Sequence, residues 1–127
     1  AQSIAIAKEL HPNHSFSQEV PKEGSYDTIV MLAVIEHVPS PSEFLSQFKP
    51  LLSQKGSIVL TTPHKNAEWM HALGASIGLF SSSAKEEHEV LFNHKLMIKT
   101  AAQAGLQVTL YKRFLFGVNQ VFVLGAM

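Results

Sequence analysis

Two runs of unbroken apolar character, Y-D-T-I-V-M-L-A-V-I from Tyr26 and S-I-V-L-T-T from Ser57, constrain this chain more than any other feature. A strand with one face in water alternates apolar and polar residues, whereas a strand covered on both faces reads as a continuous apolar run. Such strands belong to parallel sheets flanked by helices, so the runs predict an α/β architecture.

The segments around the two runs have the matching character. Residues 1–10, A-Q-S-I-A-I-A-K-E-L, are helix formers that set Ile4, Ala7 and Leu10 on one side before His11-Pro12 stops the helix. A short strand is expected around Ser15 to Gln18, then a polar loop from Glu19 to Ser25. Ser40-Pro41-Ser42-Glu43 predicts a helix start with a capping box and proline at the first helical position. That helix would bury Phe44, Leu45, Phe48, Leu51 and Leu52, tighten or kink at Pro50, and end at a left-handed Gly56. Trp69, Met70, Leu73, Ile77 and Phe80 give a helical spacing from Asn66 to Phe80, followed by a polar loop over 81 to 89. Asn93 reads as the cap of a helix carrying Leu96, Ile98, Ala101 and Ala102 up to Gly105. Two strand-like runs joined through F-G-V-N then predict an antiparallel hairpin. The whole reads as one domain over 1–127, a three-layer α/β sheet whose last strand turns antiparallel.

Composition narrows the function classes. Hydrophobic residues make up 46% of the 127, enough for a core, while ten basic residues balance ten acidic ones, so no net field collects nucleic acid or anionic membrane. No apolar run approaches the roughly 18 residues of a membrane span, and no secretory signal opens the chain. The absence of cysteine removes disulfides, thiolate metal sites and cysteine nucleophiles, and fits a cytoplasmic address.

The stretch Y-D-T-I-V-M-L-A-V-I-E-H-V-P-S-P, followed by L-L-S-Q-K-G-S-I-V-L-T-T-P-H, resembles the second half of class I S-adenosylmethionine-dependent methyltransferases. The aromatic-Asp pair opening the fourth strand, the I-E-H-V ending, the fifth strand ending T-T-P and the C-terminal hairpin recur there in this order. The resemblance covers nearly the whole chain. It implies a Rossmann-like sheet of order 3-2-1-4-5-7-6, incomplete here, with strands 3, 4, 5, 7 and 6 present. The family's glycine-rich cofactor turn is missing, since the seven glycines include no G-x-G. The sequence opens at Ala1 within a helical pattern, and the expectation is a C-terminal fragment of a methyltransferase catalytic domain, itself unable to hold the cofactor. Strand 4 would then have an open apolar edge suited to self-association.

The resemblance also implies a site, because ligands of such sheets bind outside the carboxyl ends of the strands. Leu32 and Ala33 match positions lining the methionine part of S-adenosylmethionine, and Gln18 and Glu19 fall near the adenine-binding acidic position, out of register with its usual Asp. His37 is a candidate general base, set against a reading in which Glu36 and His37 only tie down the loop before the next helix. His64 is a candidate acceptor-site residue, set against a solvated loop histidine. Some relatives hold a divalent cation through E-x-x-E-H; here Ala33 replaces the first glutamate, which argues against a metal. His88 and His94 have no metal-ligand spacing. The expected acceptor is a small or lipid-like molecule.

Other enzyme classes lack their marks. No lysine follows Tyr26 or Tyr111 at the short-chain dehydrogenase spacing, and there is no G-K-[ST]. A non-catalytic α/β association module remains the alternative.

Overall fold

The longest of the described strands begins where the chain tightens into a 3-10 turn at Lys49–Leu51. In the computed structural model, which describes residues 2–64 and 91–127, four strands form one sheet: β1 (Tyr26–Leu32), β2 (Leu52–Pro63), β3 (Leu106–Phe114) and β4 (Asn119–Ala126). Their order is β1-β2-β4-β3, with β1 parallel to β2 and β4 antiparallel to both its neighbours. This is the 4-5-7-6 part of the expected order. The helix expected over Asn66 to Phe80, the loop at 81 to 89 and His88 lie outside the described residues.

No strand forms over Ser15 to Gln18, contrary to expectation; the segment is irregular and largely exposed. A strand exists through its ladder, and these residues have no ladder partner among the described strands. Ahead of it, α1 (Gln2–Leu10) stops before Pro12 as expected and buries none of its residues.

The core lies on one face of the sheet. Ile58 pairs with Leu124 and Leu60 with Phe122 across β2 and β4, and all four are fully buried. Each such side chain contributes on the order of 1.5–3 kcal/mol. Met97, Ala101 and Ala104 pack against this face from α3 (His94–Gln103) and its C-terminal end. The buried side of α3 is therefore Met97, Thr100 and Ala101, whereas Ile98, expected inside, is 48% exposed. Asn93 caps the helix as expected, its Oδ1 accepting from the Leu96 amide at 2.8 Å.

The capping box at α2 (Pro41–Ser46) does not close. Ser40 makes no side-chain cap bond, and its ψ is 91°, against 178° at the capping Asn93. Pro50 tightens the chain as expected, since Lys49–Leu51 is a 3-10 turn leading straight into β2. Gly56 does not end a helix. It sits inside β2, where β1 advances from Tyr26 to Thr28 while β2 advances from Leu52 to Ser57. Ser53 Oγ donates to Asp27 Oδ1 at 2.7 Å across this bulge. A Cβ at Gly56 would stand 2.7 Å from the Tyr26 carbonyl oxygen and 2.9 Å from the Ser53 nitrogen, so close approach, not a left-handed φ, selects glycine.

The hairpin forms as expected, with a tip over 115–118. Leu115, Phe116 and Gly117 have φ of 53°, 57° and 82°, and the Val118 amide donates to the Leu115 carbonyl at 3.1 Å. Positive φ at both central residues is the signature of primed hairpin turns, which favour Asn-Gly. Two side-chain-bearing residues in this region cost about 1–2 kcal/mol each.

Candidate functional site

The carboxyl ends of β1 and β2 lie side by side, Leu32 opposite Thr61. The Ala33 amide donates to the Thr61 carbonyl at 3.0 Å, and Ala33 then leaves the strand in the left-handed region, φ 56°. A Cβ-bearing residue rarely adopts this conformation, and such outliers gather where a backbone is shaped for a ligand. Leu32 stands beside it, 64% exposed. Gln18 and Glu19 lie on the exposed segment before β1, where the Glu19 amide donates to Ser17 Oγ at 3.1 Å, a local contact.

The chain next makes a 3-10 turn, Ile35–His37. Glu36 is not at an open edge, as the end of an apolar run suggests, but is only 2% exposed. Its Oε2 accepts from Thr62 Oγ1 at 3.0 Å, and Thr62 is itself buried. The carboxylate thereby ties the turn to the end of β2, which is the loop-tying part of the sequence reading. Its other oxygen lies 3.9 Å from His37 Nε2, and the His37 side chain is 42% exposed. A half-exposed imidazole thus stands beside a fixed carboxylate at the mouth of the sheet.

His64 follows β2 and is buried, not solvated. Its amide donates to the Val118 carbonyl at 2.8 Å, and it pairs as an isolated parallel bridge with Phe92. The structure therefore gathers Leu32, Ala33, His37 and His64 at one edge of the sheet. Among the described residues no group of His, Asp or Glu has the arrangement of a metal site. His94 stacks on Tyr111, ring centroids 4.2 Å apart.

Two residues outside the sequence candidates organise this edge. Thr62 is one. Gln120 is the other: fully buried, it donates from Nε2 to the Phe92 carbonyl at 2.8 Å and the Pro63 carbonyl at 3.2 Å, while its Oε1 accepts from Tyr111 O–H at 3.2 Å. The signal for it was present in Q-V-F-V-L, where Gln120 shares strand parity with the core residues Phe122 and Leu124.

Comparison with known proteins adds a family and a fold. Residues 2–111 match a family model described as "Methyltransferase domain". No curated protein matches the sequence. Among solved structures, TnmH superposes with a TM-score of 0.71 at 14% identity, covering 100% of this chain and 41% of that one. The O-methyltransferase NcsB1 from neocarzinostatin biosynthesis, solved with S-adenosyl-L-homocysteine and 1,4-dihydroxy-2-naphthoic acid, gives 0.68 at 13% identity, covering 98% and 39%. A pericyclic reaction enzyme gives 0.64 at 16% identity, covering 98% and 40%. These are likenesses of fold, and the chain spans about two fifths of the length of each.

Proposed function

Because the chain belongs to the methyltransferase-domain family, we propose that it forms the C-terminal part of a catalytic domain that methylates a small-molecule or lipid-like acceptor from S-adenosylmethionine. The observation that carries the reading is Ala33, left-handed at the carboxyl end of β1 beside the exposed Leu32. When bound, the cofactor supplies an electrophilic methyl on a sulfonium.

Leu32 and Ala33 line its methionine part, mostly through backbone, and Gln18 and Glu19 lie toward its adenine part. His37 accepts the proton of an acceptor hydroxyl or ammonium group, with the Glu36 carboxylate 3.9 Å behind it. His64, whose backbone is fastened to the hairpin tip, bounds the acceptor side. These residues fit the methionine end of the cofactor. They do not fit its adenosine end, since no G-x-G turn is present and Gln18 and Glu19 stand exposed on an irregular segment. The 127 residues alone therefore do not hold it.

Calorimetry with S-adenosylhomocysteine tests both statements. Saturable binding is expected for the whole gene product that carries these residues, and none for the 127-residue chain. A whole product that does not bind overturns the methyl-transfer reading; binding by the 127 residues overturns only their predicted inability.

A second reading, an α/β association module, is favoured by the outer edge of β1. Among the described strands β1 pairs only with β2, which leaves the other side of its backbone without a ladder partner there, and Val30 and Leu32, on one face of the sheet, are 58% and 64% exposed beside it. Such an edge invites a second copy. Light scattering at micromolar concentration is expected to show self-association, and a clean monomer rejects it.

A further inference from the structure

Glu36 is the one carboxylate buried among the described residues, 2% exposed within the 3-10 turn Ile35–His37. Burying a carboxylate is costly, and an apolar side chain of similar size commonly serves a fold as well. The two oxygens of Glu36 face different groups. Oε2 accepts from Thr62 Oγ1 at 3.0 Å, and Oε1 stands 3.9 Å from Nε2 of His37. Thr62 reaches Glu36 from the buried face of β2, in strand parity with Ile58 and Leu60, so packing holds both partners of that bond.

We propose that Thr62 and Glu36 are positioning residues that fix the proton of neutral His37 on Nε2, so that Nδ1 is the ring nitrogen that takes the acceptor's proton. The assignment rests on the methyl-transfer reading for the acceptor, whereas the tautomer is argued from the side chains alone. A neutral imidazole carries one N–H and one nitrogen lone pair, and the hydrogen-bonding surroundings decide which nitrogen has which. The Glu36 carboxylate attracts the N–H and repels the lone pair, and at 3.9 Å this preference is electrostatic rather than a hydrogen bond. Thr62 gives the carboxylate its orientation. Its buried hydroxyl needs an acceptor, Oε2 supplies one, and Oε1 is thereby directed to His37. Once the acceptor's proton reaches Nδ1, the same carboxylate faces the imidazolium and stabilises its charge.

The test reads the ring tautomer by long-range proton–nitrogen NMR correlation in the isotopically labelled 127-residue chain at about pH 8, above the ordinary histidine range. Neutral His37 is expected as the Nε2–H form. Glu36→Gln is the informative variant. Its amide oxygen accepts from the Thr62 hydroxyl, so its NH2 group faces His37, and the ring is expected to switch to predominantly Nδ1–H. Adding Thr62→Val leaves the amide free to rotate, and the switch is expected to be lost; Glu36→Gln combined with Thr62→Ser keeps it. A merely structural bond would alter stability in these variants without moving the tautomer. An Nδ1–H ring in the unsubstituted chain, no change in Glu36→Gln, or an undiminished switch with Thr62→Val would each overturn the proposal, and the first of these needs no substitution. Failure of S-adenosylhomocysteine to bind the whole gene product would leave the tautomer standing, so the two readings fail separately.

Discussion

Thr62 Oγ1 donates a 3.0 Å hydrogen bond to Glu36 Oε2, and both residues are buried. The pair joins the turn after β1 to the end of β2, and it sets the position from which His37 faces outward. Thr62→Val keeps the shape and removes the donor, leaving a buried carboxyl oxygen without that partner. A loss of about 1–3 kcal/mol is expected in urea unfolding. Glu36→Gln retains an oxygen that accepts from Thr62 and should cost less than Glu36→Ala; the reverse ranking would refute this account of the pair.

Gln120 meets three partners from three parts of the chain, Pro63, Phe92 and Tyr111. Gln120→Met fills similar space and satisfies none of them. We expect a loss of about 2–4 kcal/mol, with earlier amide exchange at His64, whose amide lies one residue past the freed Pro63 carbonyl. Exchange at His64 unchanged relative to β3 would show that Gln120 does not hold this edge.

Gly56→Ala places a methyl group against backbone atoms, 2.7 Å from the Tyr26 oxygen and 2.9 Å from the Ser53 nitrogen. Backbone yields less readily than a flexible side chain, so the β2 bulge must open. A loss of about 1–3 kcal/mol is expected, together with weakening of the Ser53–Asp27 bond. A neutral substitution would mean that the bulge relaxes at no cost.

Ala33→Gly should stabilise the fold by up to about 1 kcal/mol in thermal unfolding, because glycine reaches φ 56° without steric penalty, offset partly by its greater freedom when unfolded. Ala33→Val should destabilise it. In the whole gene product, the valine variant is also expected to weaken S-adenosylhomocysteine, since in the proposed function this strained backbone lines the methionine part of the cofactor. Full affinity in a folded valine variant would separate the strain from ligand binding.

The parts legible in the sequence are those governed by neighbours along the chain. The apolar runs of β1 and β2, the Asn93 cap, the tightening at Pro50 and the hairpin through 115–118 all follow from local pattern and backbone chemistry. The gathering of Leu32, Ala33, His37 and His64 at one edge follows from strand direction once the two runs are taken as parallel neighbours. What the sequence left open was decided by partners far away. Glu36 is buried because Thr62, 26 residues on, receives it, and Gln120 is tolerated in the core because carbonyls 57 and 28 residues away accept from it. Gly56 lies inside β2 and does not end a helix, because the close approach of the Tyr26 carbonyl that selects glycine there is invisible in the composition of the segment. Ser15 to Gln18 forms no strand because none of the described strands pairs with it. Local propensity sets what a segment can become; hydrogen-bond partners and free volume, which exist only after the sheet assembles, set what it is.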